Sequence, residues 1–252
     1  MSVLVEQVGK VRVISINRPR QRNAVDSETA KKLAEAFSNF EEEQDAFVAI
    51  LTGKGECFSC GADPKVFGHD GPKHFSETEP GLMGPTRMRL SKPVIAAIEG
   101  EATAGGLELA LWCDLRVAAT DAVFGVYSRQ IGIPMVDLGT VRLPRLIGHS
   151  RAIDLILTGR SVSGDEALSI GLVNRLVEPG KALEAAIQIA KQTALLPQTC
   201  LRSDRMSVYE QWDLSEIEAM RNEVHRGLSV LDSIDMKVLN SLLAAKVKQG
   251  KH

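Results

Sequence analysis

The chain has 252 residues, 44% hydrophobic and 25% charged, with a formal net charge of −2. That length buries a core without disulfide support. The near-neutral balance gives no electrostatic reason to expect a nucleic-acid partner, because phosphate binding rests on clustered Lys and Arg. The most basic stretch is the tail KVKQGKH, with Lys246, Lys248 and Lys251. It reads as a solvated end that can also meet one phosphorylated small molecule. Cysteines occur at Cys57, Cys60, Cys113 and Cys200, too few for a disulfide framework in a chain this long, so a reducing compartment is expected. MSVLVEQVGKVRVISINRP lacks the charged-apolar-small order of a signal peptide, and the C-terminus is not S-K-L. No window reaches the length of apolar sequence that a membrane span needs. The expectation is a soluble cytoplasmic protein.

In chain order, residues 3–8 and 11–16 alternate around Gly9-Lys10 and predict a β-hairpin. Asp26 or Ser27 caps a helix running to about Glu43, with Leu33, Ala36, Phe37 and Phe40 on one stripe. AFVAILTG predicts a buried strand. Residues 64–91 read as a loop followed by a helix near 82–90. PVIAAIEG is a second buried strand, then come a Gly-containing turn, an apolar helix over 105–112 and the strand CDLRVAAT. Strands alternating with helices imply right-handed crossovers and a mostly parallel sheet. Ser163-x-x-Glu166 is a capping box, and LVNRLV a short strand. Helices are expected near 181–194, 198–210, 213–228 and 231–247. LLPQTC, over 195–200, divides an α/β core, 1–195, from a helical region, 196–252.

Chemistry concentrates in AGGLELALWCD. Its helix is apolar on nearly every side, so the charge of Glu108 is costly there unless it is paired or used. Glu108 either faces solvent from a partly exposed helix or is an acid/base group with a tuned pKa; the apolar pattern favours the second. Gly105-Gly106 opens the same helix, where free N–H groups and the positive dipole end favour negative charge. By itself this pair also suits a plain strand-to-helix turn. Cys57 and Cys60 have C-x-x-C spacing. No second such pair exists to complete a zinc site, and Gly61 and Pro64 make the stretch a turn rather than a helix start. A backbone turn at a strand end is therefore favoured over metal or redox use. No G-x-S-x-G is present, and His69, His74 and His149 have no evident nucleophile partner, so a serine hydrolase is not supported.

CFSCGADPK, KPVIAAIEGEATAGGLELALWCD, FGVYSRQIGIPMVDLGTVRLPRLIG and LTGRSVSGDEALSIGLVNRLV, with NRPRQRNAV before them, resemble the enoyl-CoA hydratase/isomerase (crotonase) superfamily. The resemblance runs from about residue 4 to 195. It implies an α/β fold of the ClpP/crotonase type, a spiral of β-β-α units with a helical C-terminal trimerisation region. It implies an acyl-CoA thioester substrate in fatty-acid or related acyl-CoA metabolism, self-association as a homotrimer or hexamer, no metal, and no cofactor apart from the coenzyme A of the substrate. The oxyanion hole maps onto the N–H groups of Ala62 and Gly105. Substrate and coenzyme A contacts map onto Ala24, Ala62, Asp63, Pro64, Lys65, Gly105 and Ser128. Glu108 matches the first of the hydratase's two catalytic glutamates.

The second glutamate falls at Ser128, whose hydroxyl is no general base at neutral pH. Asp137 lands where the family's dienoyl-CoA isomerases carry a catalytic aspartate; it also suits the N-cap of a helix over LGTVRL. Tyr127 and Arg129 are further pocket candidates. The family's P-G-x-G-G run is replaced by bulkier Pro134 to Gly139, and the C-terminal F-x-E-K-R-like motif is absent. Three functions are therefore expected in order: an enolate-stabilising hydratase/isomerase using Glu108, an isomerase using Glu108 and Asp137 without hydration, and a non-catalytic acyl-CoA-binding scaffold.

Overall fold

The structure is a computed structural model that describes residues 1–67, 80–236 and 239–240. It forms two compact units, Met1–Leu195 and Leu196–His252. His69 and His74 lie outside the described residues, as do Lys246, Lys248 and Lys251.

The first unit is built on a six-stranded sheet in the order β1-β2-β3-β4-β6-β9. β1 (Val3–Val8) and β2 (Val11–Ile16) form the expected hairpin, turning at Gly9. β3 (Val48–Gly53), β4 (Val94–Ile98), β6 (Leu115–Ala119) and β9 (Arg175–Val177) then add in parallel. Their apolar runs follow from burial on both faces. One face (Val13, Ile50, Ile95, Val117) packs on α6 (Ala182–Ala194) through Ala182, Ala186 and Ala190. Those alanines are four residues apart, so they share one helix face. The other face (Ile14, Leu51, Ala96, Ala118) packs on α1 (Ser27–Glu42) and α2 (Gly105–Trp112) through residues that include Leu33, Phe37 and Leu109. Asp26 caps α1, its carboxylate accepting from Thr29 N at 2.8 Å.

A second layer is formed by three short strands in the order β5-β7-β8: β5 (Glu101–Thr103), β7 (Val123–Gly125) and β8 (Ser161–Ser163). Single-residue bridges Val25–Ala62 and Ser59–Ala102 continue this layer toward the N-terminal turns. The chain thus repeats one move, from large-sheet strand to small-layer strand to helix, and each turn stacks on the previous one. α3 (Gly139–Ile147), α4 (His149–Thr158) and α5 (Gly164–Ser169) complete the unit, α5 capped by Ser163 Oγ at 3.3 Å from Glu166 N.

Two expectations are corrected. The stretch 82–90 is no helix; it holds one 3-10 turn, Pro85–Arg87. Gly84 just before it has φ +90°, and Pro85 lacks the N–H that a continuing helix would use. The Gly-containing turn before the apolar helix is the strand β5, too short to show a hydropathy period.

The second unit contains α7 (Gln198–Glu210), a 3-10 turn Gln211–Asp213, and α8 (Glu216–Asp232). A capping box of Ser215 and Glu218 opens α8. Arg226 Nε and Asn222 Nδ2 hold the Glu210 carboxylate at 2.6 and 2.8 Å. Ile217, Met220, Val224, Leu228 and Leu231 repeat at helical spacing on α8, and each is more than half exposed. The helix expected over 231–247 lies largely outside the described residues. Among the described residues no helix is long and apolar enough to cross a membrane.

Candidate active site

β5 leads straight into α2 through Ala104, whose φ of 51° and ψ of −124° are costly for a residue with a side chain. Its N–H is fixed by Gly125 O at 2.9 Å, and its carbonyl accepts from Leu107 N and Glu108 N. This forced turn sets the direction of the next N–H, that of Gly105. Ser59–Ala62 of the preceding turn lies beside it. A Cβ placed on Gly61, at φ +101°, would sit 2.8 Å from Gly105 N, and one on Gly106 would sit 2.0 Å from Ser59 O. No side chain fits between the two segments. Among the described residues, the N–H groups of Ala62 and Gly105 donate to no acceptor.

Cys57 and Cys60 serve this loop by ordinary means. Their thiols point at the carbonyls of Arg22 (3.3 Å) and Gln21 (3.6 Å). Burial pushes Cys57 up to about 11 and Cys60 in the same direction, so neither is poised as a thiolate. Asp63 is buried. Its carboxylate is held by Arg18 Nη2 at 3.0 Å and by Lys65 N at 3.1 Å. Ala24 is buried, and its carbonyl accepts from Arg18. Pro64 and Lys65 are exposed. The acidic side chain of the turn is thus committed to holding the loop, and its outward groups are Pro64 and Lys65.

One turn further on stands Glu108, 3% exposed although ionisable. Its Oε1 accepts from Asp137 N and Gly139 N, both at 2.9 Å. Oε2 accepts no hydrogen bond among the described residues. Burial pushes the carboxyl up to about 7, and the nearby Asp137 adds to this; the N–H groups of Gly139 and Asp137 and the Arg142 charge pull the other way. A Cβ on Gly139 would meet Glu108 Oε1 at 2.8 Å, so the contact depends on a glycine there.

The structure therefore removes one of the two roles open to Asp137. It is not the N-cap of α3: that position is Leu138, at φ 67°, with no side-chain cap. Glu108 from α2 supplies the acceptor instead. Asp137, 1% exposed, sends its carboxylate elsewhere. Oδ1 accepts from Thr86 Oγ1 and, at 3.4 Å, from Met83 N. Oδ2 accepts from no described residue. Burial raises this carboxyl too, against the pull of Thr86, Met83 N, Arg87 and Arg142. Arg142 bonds the carbonyls of Asp137 (3.1 Å) and Thr86 (2.6 Å), tying the segments together.

Ser128, on the 3-10 turn Tyr127–Ile131, is buried, and its Oγ has no partner among the described residues. Tyr127 bonds Ser161 Oγ at 2.7 Å, and Arg129 is exposed. Sequence reasoning singled out Glu108 and Asp137 and noted Gly139 only as the end of the 134–139 run; it passed over Thr86, Gly81 and Met83, which no motif marks.

A family model described as enoyl-CoA hydratase/isomerase matches residues 6–244. The chain belongs to the enoyl-CoA hydratase/isomerase family. It is 40% identical over 199 residues to a short-chain-enoyl-CoA hydratase of Clostridium acetobutylicum, covering 76% of this chain and 74% of the relative. It is 33% identical over 241 residues to enoyl-CoA hydratase EchA19 of Mycobacterium tuberculosis, covering 93% and 90%. The crystal structure of enoyl-CoA hydratase EchA1 from Mycobacterium marinum superposes with a TM-score of 0.91 at 35% identity, over 97% of this chain and 96% of that one. The spiral of β-β-α turns is thus the crotonase fold. The chain is an acyl-CoA-processing enzyme of this family.

Proposed function

We propose that the chain adds water reversibly across the α,β double bond of an enoyl-CoA thioester, in fatty-acid or related acyl-CoA metabolism. The thioester oxygen binds the N–H groups of Ala62 and Gly105, which hold the negative charge that develops as the enolate forms. Losing one such donor raises the barrier by about 3–4 kcal/mol. Coenzyme A runs past the turn Ala24, Ala62–Lys65, with Pro64 and Lys65 outermost.

The observation that carries the reading is the matched state of two buried carboxylates. Each has one oxygen anchored by two donors and the other accepting from no described residue. Anchoring fixes orientation, and the remaining oxygen handles the proton. Glu108, poised near neutrality, gives a proton to the α carbon, and Asp137 takes one from the water whose oxygen bonds the β carbon. One water is added: its hydroxyl goes to the β carbon and Glu108's proton to the α carbon, and the cycle closes when Asp137 gives up the water's proton and Glu108 regains one. In this reading Glu108 is the first glutamate of the hydratase pattern, and Asp137 does the work of the second. The reading uses no metal and no cofactor beyond the substrate's own coenzyme A.

A second reading is supported by Ser128, whose hydroxyl is buried and which takes the second glutamate's position in the family resemblance. Without water activation the same pair moves a proton between the α and γ carbons and shifts the double bond. Four free thiols fit a reducing, cytoplasmic setting. The apolar stripe of α8 fits self-association as a homotrimer or hexamer.

The test is mass spectrometry of short trans-2-enoyl-CoA and 3-enoyl-CoA after incubation with the purified protein, its Glu108→Gln and its Asp137→Asn forms. Hydration gives a product heavier by one water, lost in both variants that still bind the thioester. Equal mass with a moved double bond selects isomerisation. Binding with no conversion of either substrate refutes both and leaves a scaffold.

A further inference from the structure

Thr86 belongs to no motif, yet it is fully buried and donates its hydroxyl to Asp137 Oδ1. The fit around this bond is close. A Cβ on Gly81 would come within 2.0 Å of both Asp137 Oδ1 and Thr86 Oγ1. Arg142 grips the carbonyls of the same two residues, so the hydroxyl is held against the carboxylate from behind. Asp137 in turn donates its N–H to Glu108 Oε1. A single chain of contacts therefore runs Thr86, Asp137, Glu108. We propose that Thr86 is a positioning residue that decides which of the two buried carboxylates carries the proton. The proposal deepens the reading above and rests on its use of Glu108 and Asp137 as a pair.

A donor to a carboxylate favours its ionised form. With the Thr86 hydroxyl in place, Asp137 keeps its charge, and that charge opposes ionisation of Glu108. The single proton then resides on Glu108, beside the substrate's α carbon. Without the hydroxyl, buried Asp137 takes the proton and its field on Glu108 disappears, so Glu108 ionises at lower pH. The other charges facing the pair are Arg87 from the Pro85–Arg87 turn and Arg142 from α3. Glu101 of β5 is paired with Arg22 at 3.0 Å, and Arg145 of α3 is exposed.

The test is an infrared titration of carboxyl groups in the full chain, with Glu108→Gln used to assign the Glu108 band. Compared are the wild type, Thr86→Val and Thr86→Ser. Thr86→Val is expected to move the Glu108 midpoint down by roughly one pH unit, the size of coupling at which two sites titrate as a pair. Thr86→Ser, which keeps the hydroxyl, restores the wild-type midpoint. An unmoved midpoint in folded Thr86→Val, or a Thr86→Ser curve that matches the valine form, overturns the proposal. Should the valine form not fold, Thr86→Ala decides by the same measure. Because the readout needs no turnover, the two readings fail separately. A shifted midpoint in a protein inert toward every enoyl-CoA upholds the positioning role and sinks the reaction.

Discussion

Glu108 should weaken the folded protein, and the size of that cost follows from its setting. Its carboxyl is 3% exposed, with burial first among the causes that raise it from 4.5 to about 7. For an acid raised on folding, stability is fully present below the unfolded value and is lost as pH rises through the folded one. The window therefore runs from about 4.5 to about 7. At about 1.4 kcal/mol per unit, the full penalty above the window is about 3 kcal/mol, and at pH 5 it is less than about 1 kcal/mol. Glu108→Gln removes the charge and keeps an oxygen to accept from Asp137 N and Gly139 N. Its melting temperature relative to wild type should rise between pH 5 and pH 8.5 by about 5–10 °C. Differential scanning calorimetry at the two pH values measures this. An equal offset at both, or a larger gain at pH 5, would refute the argument that Glu108 is held near neutrality by desolvation.

Three other perturbations read separate parts of the molecule. Gly61→Ala places a methyl beside Gly105 N at a backbone angle that disfavours any side chain, so kcat/KM for an enoyl-CoA should fall about 10²–10³-fold. A change under about twofold would remove that N–H from the proposed chemistry. Arg18→Ala strands the buried Asp63 carboxylate, costing about 3 kcal/mol in urea unfolding; an unchanged midpoint would mean the pair is idle. Ile217→Asp interrupts the apolar stripe of α8. Light scattering should show it as a species near the 27.3 kDa chain mass while the wild type runs as a multiple. Equal masses for the two would place self-association elsewhere.

How much of this was legible in sequence depended on length and on distance along the chain. β3, β4 and β6 are five or six residues long and almost wholly apolar, so they stood out. β5, β7 and β8 have three residues each, less than two periods of alternation, and were invisible individually. Glu108 was legible because a charge inside an apolar helix is costly. Its partners were not, since both donors are backbone N–H groups about 30 positions away, whose direction depends on Leu138 taking a left-handed turn. Asp137 was legible as an acid, but not its environment. A side chain that suits a helix cap went instead to Thr86, because Glu108 already filled the cap from another element. The helix expected over 82–90 failed on Gly84 and Pro85, which locally outweigh the apolar spacing around them.

The stacked turns carry one more consequence. Where successive coils touch beside Glu108 and between Ala62 and Gly105, the polar groups presented are main-chain N–H groups, which every residue except proline possesses. Short of proline, substitution cannot delete them; it can only crowd them. The imprint such a region leaves in a sequence is therefore a set of vacancies, positions where any side chain would collide. Gly61, Gly106 and Gly139 are those vacancies here, each with a neighbour within 2.8 Å of where its first side-chain carbon would stand. A comparison that weighs only functional side chains would pass over them. A scan that replaces each glycine by alanine would trace these close backbone contacts from the pattern of losses alone.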